Sequence, residues 1–362
     1  MLCIDGVMEQ HTDELFGELR SVIHDATGEY RWHVLVPMLT TWPEEHLTQV
    51  VIPYLHDIFA DEDARSAFYR RDASQDWFSY APRTWSFKPA FQLANTLAIQ
   101  NKRAFRTLLK YDEVQHFKAL VGRVRFTHSE AKAIAESPNV KNLRHLYLDN
   151  GALQSKGITY LAHSPHLHNL THLSLAFCWL RGDAQVIGES ETFSSLKYLQ
   201  LSNNNITDDV LLTMARSQHM SNLEDVNFRF SHLTSRSVVE LAQSPHITQL
   251  KRLILSENPI GDDGPVAIVS SEHMQHLDFL EIFKIGMSVD GLERFLNAFK
   301  LKSLKFLSLA GNKLGSDGAR LLASTDAFKD LETLDIRGND FDEQSLELLH
   351  KSEALSSLNL LV

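Results

Sequence analysis

A leucine pattern that returns about every 27 residues limits what this chain can fold into more than any other feature of its sequence. The stretch LKYLQLSNNNITDDVLL at 196–212 returns at 304–321 as LKFLSLAGNKLGSDGARL, with the same internal spacing. Such a fixed period is typical of proteins that stack one small supersecondary unit many times. The template L-x-x-L-x-L-x-x-N/C begins at Leu143, Leu170, Leu196, Leu223, Leu250, Leu277, Leu304, Leu331 and Leu355.

Each repeat predicts one short strand followed by one helix. Within the template, apolar residues alternate with other residues as in a half-buried strand, whereas the apolar residues of the next segment lie three to four apart. The segment ITDDVLLTMARS at 206–217 shows this helical spacing. Strands stack about 4.8 Å apart and helices about 8–10 Å apart, so the stack has to curve. We therefore expect an α/β horseshoe solenoid, with parallel strands on the concave face and helices on the convex face.

The ninth template position predicts how each strand ends. An asparagine or cysteine that turns inward there satisfies backbone groups that would otherwise lack hydrogen-bond partners. We therefore interpret the Cys178 thiol as structural rather than reactive. The residues of this type at position 9 are Cys178, Asn204, Asn258, Asn312 and Asn339.

The repeats resemble those of leucine-rich repeat proteins of the ribonuclease-inhibitor-like and cysteine-containing types. NITDDVLLTMARSQHMSNL at 205–223 is similar to the I-T-D-x-G-L-x-x-L-A pattern of the cysteine-containing type. The S-P-x-L-x-x-L joint, together with a helical region before the repeats, resembles bacterial repeat-companion leucine-rich proteins. The resemblance covers residues 120–362. We place the repeat domain at 119–362, with about nine units.

The first 118 residues lack the template and predict a separate helical N-terminal domain. Four of the five tryptophans lie there. Because the ends of solenoids need a polar cover, we expect this domain to cap the first repeat. An independent binding module stays open, and so does an F-box-like substrate adaptor, to which WPEEHLTQVVIPYL at 42–55 is a loose match. The predicted helices are 11–26, 30–41, 43–60, 87–101 and 103–119.

Composition limits the classes of partner that we expect and the cellular compartment in which we expect the protein. A net charge of −11 and a pI near 5.9 argue against a nucleic-acid binder, which would usually carry a basic stripe. No run approaches 18 apolar residues, and the N-terminus has no apolar signal segment, so we expect a cytoplasmic protein without a membrane partner. With only Cys3 and Cys178, a disulfide framework is not expected.

No motif in the sequence predicts catalysis. Phosphate-binding G-x-x-x-x-G-K-[ST], nucleophile G-x-S-x-G and zinc-binding H-E-x-x-H patterns do not occur. His163, His166, His168 and His172 cluster in sequence, but the repeat frame places them many ångströms apart, so we interpret them as surface histidines rather than metal ligands. We therefore expect neither an enzyme nor a metal or cofactor site.

The residues predicted to face outward from the strands point to a binding surface. Template positions 3 and 5 leave the core, and positions 7 and 8 lie at the rim. Aromatic and arginine side chains, which commonly anchor interfaces, are concentrated there. We expect Phe283 to be the most exposed, since IFKIGMS at 282–288 lacks the asparagine turn. The predicted partner-binding residues are Tyr198, Asp225, Arg229, Phe230, Arg252, Phe279, Glu281, Phe283 and Phe306.

The sequence thus favours a non-enzymatic scaffold that binds a protein partner through its concave face. A regulator of a partner enzyme, such as a GTPase-activating leucine-rich protein, remains an alternative. The last predicted strand carries Leu358, Leu360 and Val362 without a following helix. An uncovered edge strand invites pairing, so self-association through this end is a further hypothesis.

Overall fold

The computed structural model describes residues 102–362 and, before them, 17–19, 51, Asp72–Ser74 and Thr96–Ile99. The chain divides into two compact units. Unit 1 consists of Met1–Val124 and Ser137–Leu143, and unit 2 of Arg125–Glu136 and Arg144–Val362.

Unit 1 contains parallel strands, two of them within residues 1–118, where helices alone were expected. Strands β1 (Asp72–Ser74), β2 (Thr96–Ile99) and β3 (Ala119–Gly122) pair in chain order, and helix α1 (Lys102–Leu108) follows β2. The expectation of a helix over 87–101 is therefore wrong at β2, because pairing on both sides overrides the local helical pattern. The predicted helices at 11–26, 30–41 and 43–60 lie outside the described residues, apart from 17–19 and 51.

Unit 2 confirms the predicted α/β solenoid. Each of its nine repeats contributes one short strand, and each strand pairs in parallel with the next, residue for residue at the same template position. The strands are β4 (His145–Tyr147), β5 (His172–Ser174), β6 (Tyr198–Gln200), β7 (Asp225–Asn227), β8 (Arg252–Ile254), β9 (Phe279–Glu281), β10 (Phe306–Ser308), β11 (Thr333–Asp335) and β12 (Asn359–Leu361).

Helices alternate with these strands and form the other layer of unit 2. In the first eight repeats, the leucines at template positions 4 and 6, such as Leu307 and Leu309, are fully buried between sheet and helices. Burial of one such side chain stabilises the fold by about 1.5–3 kcal/mol. The helices are α2 (His128–Glu136), α3 (Gln154–Ala162), α4 (Val186–Glu189), α5 (Asp208–Arg216), α6 (Ser235–Ala242), α7 (Asp263–Ser270), α8 (Val289–Ala298), α9 (Gly315–Ala323) and α10 (Glu343–Lys351).

In the four repeats that carry it, the asparagine at position 9 fixes the loop after the strand, as predicted. Asn312 is buried, and its Nδ2 donates to the carbonyls of Ile282 at 3.1 Å and Leu309 at 2.8 Å. Its Oδ1 accepts from the backbone N–H groups of Ile285 at 3.0 Å and Met287 at 3.2 Å. One side chain therefore satisfies backbone groups of its own repeat and of the repeat before it.

Asn204 and Asn258 repeat this arrangement in their own loops. Cys178 replaces the amide in the second repeat, and its Sγ donates to the carbonyl of Leu148 at 3.1 Å. Burial raises the pKa of this thiol to about 12, so it stays protonated at neutral pH. The structural interpretation of Cys178 is confirmed.

Position 8 turns the chain at the end of the strand with a left-handed backbone. Among the first eight repeats, glycine occupies this position in two, and larger residues adopt the same conformation in the other six. For a residue with a side chain, this conformation costs about 1–2 kcal/mol. The φ angles are 58° at Asn150, 55° at Phe177, 56° at Asn203, 52° at Phe230, 58° at Glu257, 50° at Lys284, 69° at Gly311 and 67° at Gly338.

Candidate functional site

The side chains at positions 3, 5, 7 and 8 of β4–β11 form one surface, here called the strand face. Along its middle, position 3 carries a row of side chains in mutual contact. The Phe279 and Phe306 rings are stacked, with centroids 4.2 Å apart. The guanidinium carbon of Arg252 lies 3.6 Å from the Phe279 ring centroid, and Arg252 Nε lies 3.8 Å from the Asp225 carboxylate. Four of the predicted partner-binding residues therefore form one continuous cluster.

This cluster exists because the strands are parallel and in register. Asp225, Arg252, Phe279 and Phe306 are direct partners on β7–β10. Neighbouring strands lie about 4.8 Å apart, which is close to the thickness of stacked rings and guanidinium groups. All four side chains are only partly exposed, so the row presents the edges and outer faces of groups already held by their neighbours.

The same row continues toward the first repeat with different chemistry. The His145 and His172 rings have centroids 4.2 Å apart, and Tyr198 stacks on His172 at 5.6 Å. Burial, followed by the charge of His172, lowers the pKa of His145 to about 4, and burial also lowers the pKa of His172. Both rings are therefore neutral at pH 7. Tyr198 belongs to this histidine group rather than to the phenylalanine cluster.

Burial also shifts the pKa of the Asp225 carboxyl. It raises the pKa of Asp225 to about 6, with Arg252 acting against this shift and Asp278 adding to it. A carboxylate that is partly desolvated and faces an arginine is a strong acceptor for an incoming donor. The position therefore suits a partner side chain that donates hydrogen bonds.

A cleft of about 490 Å³ lies on the strand face between the fourth and eighth repeats. Its lining includes three cationic residues, Arg229, Lys284 and Arg337, together with Phe283 and Glu281. The Arg229 guanidinium carbon lies 5.6 Å from the Phe283 ring centroid, and Lys284 Nζ lies 4.8 Å from it. An aromatic surface with cations on two sides is thus open at this cleft.

Ion pairs hold the cations of the cleft in place. Arg229 Nη2 lies 2.5 Å from Glu257 Oε1, and Arg229 Nη1 lies 4.0 Å from Glu281 Oε1. Arg337 makes a two-pronged contact with Asp335, at 2.8 Å and 2.9 Å. Although burial opposes it, this contact lowers the pKa of Asp335, so the carboxylate stays charged. Opposite charges are therefore fixed around one ring, as in surfaces that recognise a specific partner.

The expectation that Phe283 is the most exposed aromatic residue is wrong. It is half-buried, because Gly311 of the next repeat has no side chain and the Phe283 ring packs against it. A Cβ atom on Gly311 would come within 2.8 Å of Phe283 Cε2. Phe230, at the rim, is 57% exposed and is the predicted site residue that reaches furthest into solvent.

Two exposed aromatic residues lie outside the predicted site. Phe177 is 50% exposed and Trp179 is 58% exposed, both in the loop after β5. Phe177 has the same template position as Phe230, so a bulky residue at position 8 is the signal that identifies it. Trp179 follows position 9, beyond the strand positions of the template, and the strand frame gives no sign of it.

The structure offers no grouping of ligands for a metal among the residues it describes. His163 instead contacts its own helix, with Nδ1 at 2.8 Å from the carbonyl of Thr159. None of the helices in the described ranges combines the length and apolar character needed to cross a bilayer.

Comparison with known proteins agrees with this fold. A family model described as leucine-rich repeat matches residues 194–211, 246–269 and 300–323. A search of curated proteins gave no significant match. Among solved structures, a chain of the Rad7–Elc1 complex from yeast is similar, with 15% identity over 96% of this chain and 83% of that chain and a TM-score of 0.52. An internalin (inlF) from Listeria monocytogenes has 13% identity over 88% of this chain and 90% of its own, with a TM-score of 0.46. At such identity, the yeast chain shows the fold alone.

Proposed function

We propose that this leucine-rich repeat chain is a non-enzymatic scaffold that binds a protein partner through the strand face of unit 2. The observation that carries the proposal is the continuous Asp225–Arg252–Phe279–Phe306 cluster beside the Phe283 cleft. Aromatic rings and arginines are the side chains that contribute most to binding free energy at protein interfaces. A row of them on the outward face of a sheet is best explained by a partner that covers it.

Preorganisation supports the same conclusion. The Arg229 and Arg252 side chains are held by carboxylates and rings of the neighbouring repeats, so they lose little conformational freedom when a partner binds. The short strands that carry them are fixed in turn by buried asparagines such as Asn258. A surface of this kind favours a folded partner or an ordered loop that brings matching charges.

The mixture of charges makes a protein a better partner than a polyanion. Within the cleft, Arg229, Lys284 and Arg337 alternate with Glu281 and Asp335. A nucleic acid would meet these carboxylates on a chain of net charge −11. The yeast structure of similar fold is a complex of two proteins, which is consistent with protein binding.

The proposal is tested by capture of partners from native lysate with the intact chain and two variants. Phe283→Asp places a charge on the aromatic floor of the cleft, and Arg229→Glu reverses a charge that the structure holds in place. Leu348→Asp is the matched control, because Leu348 is an exposed apolar residue of helix α10 and not part of the strand face. Circular dichroism and thermal unfolding establish that all three variants fold.

A protein that the intact chain and Leu348→Asp capture, and that Phe283→Asp and Arg229→Glu lose, supports binding through the strand face. A partner that both strand-face variants retain would contradict the proposal. Equal loss with Leu348→Asp would also contradict it, because the contact would then not be specific to this surface.

A further inference from the structure

Trp179 lies at a second site, formed by the loop after β5 and the first turn of helix α3. A cleft of about 340 Å³ is lined there by Gln154, Ser155, Lys156, Trp179 and Arg181. The Trp179 side chain is 58% exposed, the highest value among the exposed large hydrophobic side chains of the described residues. An indole left in water at a cleft is a feature of binding sites rather than of core packing.

The backbone holds Trp179 in this exposed position at a conformational cost. Both Trp179 and Gln154 are left-handed, with φ of 60° and 55°. Asn204 Oδ1 accepts from the N–H groups of Cys178 at 3.0 Å and Leu180 at 3.1 Å, which fixes the chain on both sides of the tryptophan. The same left-handed conformation recurs at the equivalent position of later repeats, in Gly286, Lys313 and Asp340, so the repeat itself sets this backbone.

One cation packs over the indole, and two more line the cleft beside it. The guanidinium carbon of Arg125 lies 5.0 Å from the Trp179 ring centroid, and Lys156 and Arg181 line the cleft. None of these three has an ion pair within 4.0 Å among the side chains that the structure describes. This differs from Arg229 and Arg337, which are paired with carboxylates.

We propose that the Trp179 cleft binds an acidic peptide segment of a protein. An aromatic or proline side chain of the peptide packs on the indole, and its Asp or Glu carboxylates pair with Arg125, Lys156 and Arg181. The charge complementarity carries this choice, because three cations without an ion-pair partner among the described side chains cluster here on a chain of net charge −11. Three cations are too few for the extended basic track that a nucleic-acid strand requires.

This site goes beyond the proposed function and does not depend on it. Its lining residues belong to the start of helix α3 in repeat 1 and to the loop after β5 in repeat 2, whereas the Phe283 cleft lies in repeats 4 to 8. The two sites therefore differ in position and in the chemistry of what they bind, and a variant of one is a control for the other.

A random-peptide phage library panned on the intact chain tests the proposal. We expect the enriched peptides to be rich in Asp and Glu around an aromatic residue or proline. The best peptide is then synthesised with a fluorescein label, and its affinity is measured by anisotropy. Trp179→Ala is expected to weaken binding about thirtyfold, and Arg181→Glu about tenfold.

Matched variants test whether the change in peptide affinity is specific to the Trp179 cleft. Lys329→Glu reverses an exposed charge that lies outside the cleft, and Phe283→Asp alters the strand face; neither is expected to change the affinity. Because Trp179 is exposed, its loss leaves the core intact, and thermal unfolding checks this. Binding is also expected to weaken as salt rises from roughly 0.05 to 0.5 M.

Enriched peptides without an excess of acidic residues would overturn the proposal. Acidic peptides whose affinity is unchanged in Trp179→Ala and Arg181→Glu would overturn it as well, since they would bind elsewhere. A single-stranded oligonucleotide that competes with the peptide and binds more tightly would replace it with a nucleic-acid site. Loss of peptide binding in Phe283→Asp would place the contact on the strand face instead.

Discussion

The Phe279 ring lies flat on the Phe306 ring, with planes 4° from parallel and centroids 4.2 Å apart. The two residues are register partners on β9 and β10, so the repeat itself creates the contact. Arg252 covers the other side of Phe279 at 3.6 Å. The repeat that builds the core therefore also fixes the positions of the side chains along this row of the strand face.

The stacked pair is expected to stabilise unit 2 beyond the area that each ring buries. A double-mutant cycle with Phe279→Ala, Phe306→Ala and the double variant should give a coupling free energy of about 0.5–1.5 kcal/mol, which is typical of aromatic pairs. Urea unfolding measures it. A coupling near zero would mean that the two rings act independently on the folded chain.

Because the backbone of Phe230 is left-handed, we expect glycine to be more stabilising than alanine at this position, the reverse of the usual order. In ordinary positions alanine is the more stabilising, but a φ of 52° penalises every residue with a Cβ atom. The free energy of unfolding of Phe230→Gly should therefore be about 1 kcal/mol higher than that of Phe230→Ala. Both variants lose the same exposed ring, so their difference isolates the backbone. A more stable alanine variant would contradict the assigned conformation.

Removal of the buried amide at position 9 should be costly. Asn312→Ala leaves five backbone hydrogen-bonding groups without this partner, and we expect the free energy of unfolding to fall by about 3 kcal/mol. Asn297→Ala, at an exposed position of helix α8, is the control and should change it little. Chemical denaturation of both variants provides the comparison.

The stacked histidine His145 predicts a loss of stability in mild acid. Its pKa falls from 6.5 to about 4 on folding, so between these values the unfolded chain binds a proton that the folded chain does not. The free energy of unfolding should therefore decrease as pH falls from about 6.5 to about 4. The raised pKa of Asp225 acts in the opposite direction, since folding there favours proton uptake.

Because several groups contribute to the pH dependence of stability, the part that comes from His145 is measured by comparing variants. His145→Gln should lose less stability than the intact chain between about pH 7.5 and about pH 5, as measured by urea unfolding. His350→Gln, an exposed substitution on helix α10, is the control. If His145→Gln and the intact chain lost the same amount, the depressed pKa would be wrong.

The repeat frame predicts the strand face because register follows directly from the period. Once position 4 is buried, position 3 of every repeat must align, and the Phe279–Phe306 and Asp225–Arg252 contacts follow from the sequence. The inward turn of Asn312 is predicted on the same grounds.

The features that the repeat frame does not predict are set by contacts between different repeats and by loops. The low exposure of Phe283 results from Gly311 in the next repeat, and no pattern within one repeat contains this information. Trp179 lies beyond the strand positions, in a loop position whose side-chain direction the strand frame does not describe. Strand β2 was missed because its pairing with distant segments decides its conformation.

Site-specific photo-crosslinking tests the central claim most directly. A photoreactive phenylalanine analogue is placed at Phe283 in one sample and at Leu348 in the other, and both are irradiated in native lysate. Binding through the strand face predicts a defined protein adduct from position 283 and none from position 348. An adduct from position 348, with none from position 283, would contradict the account.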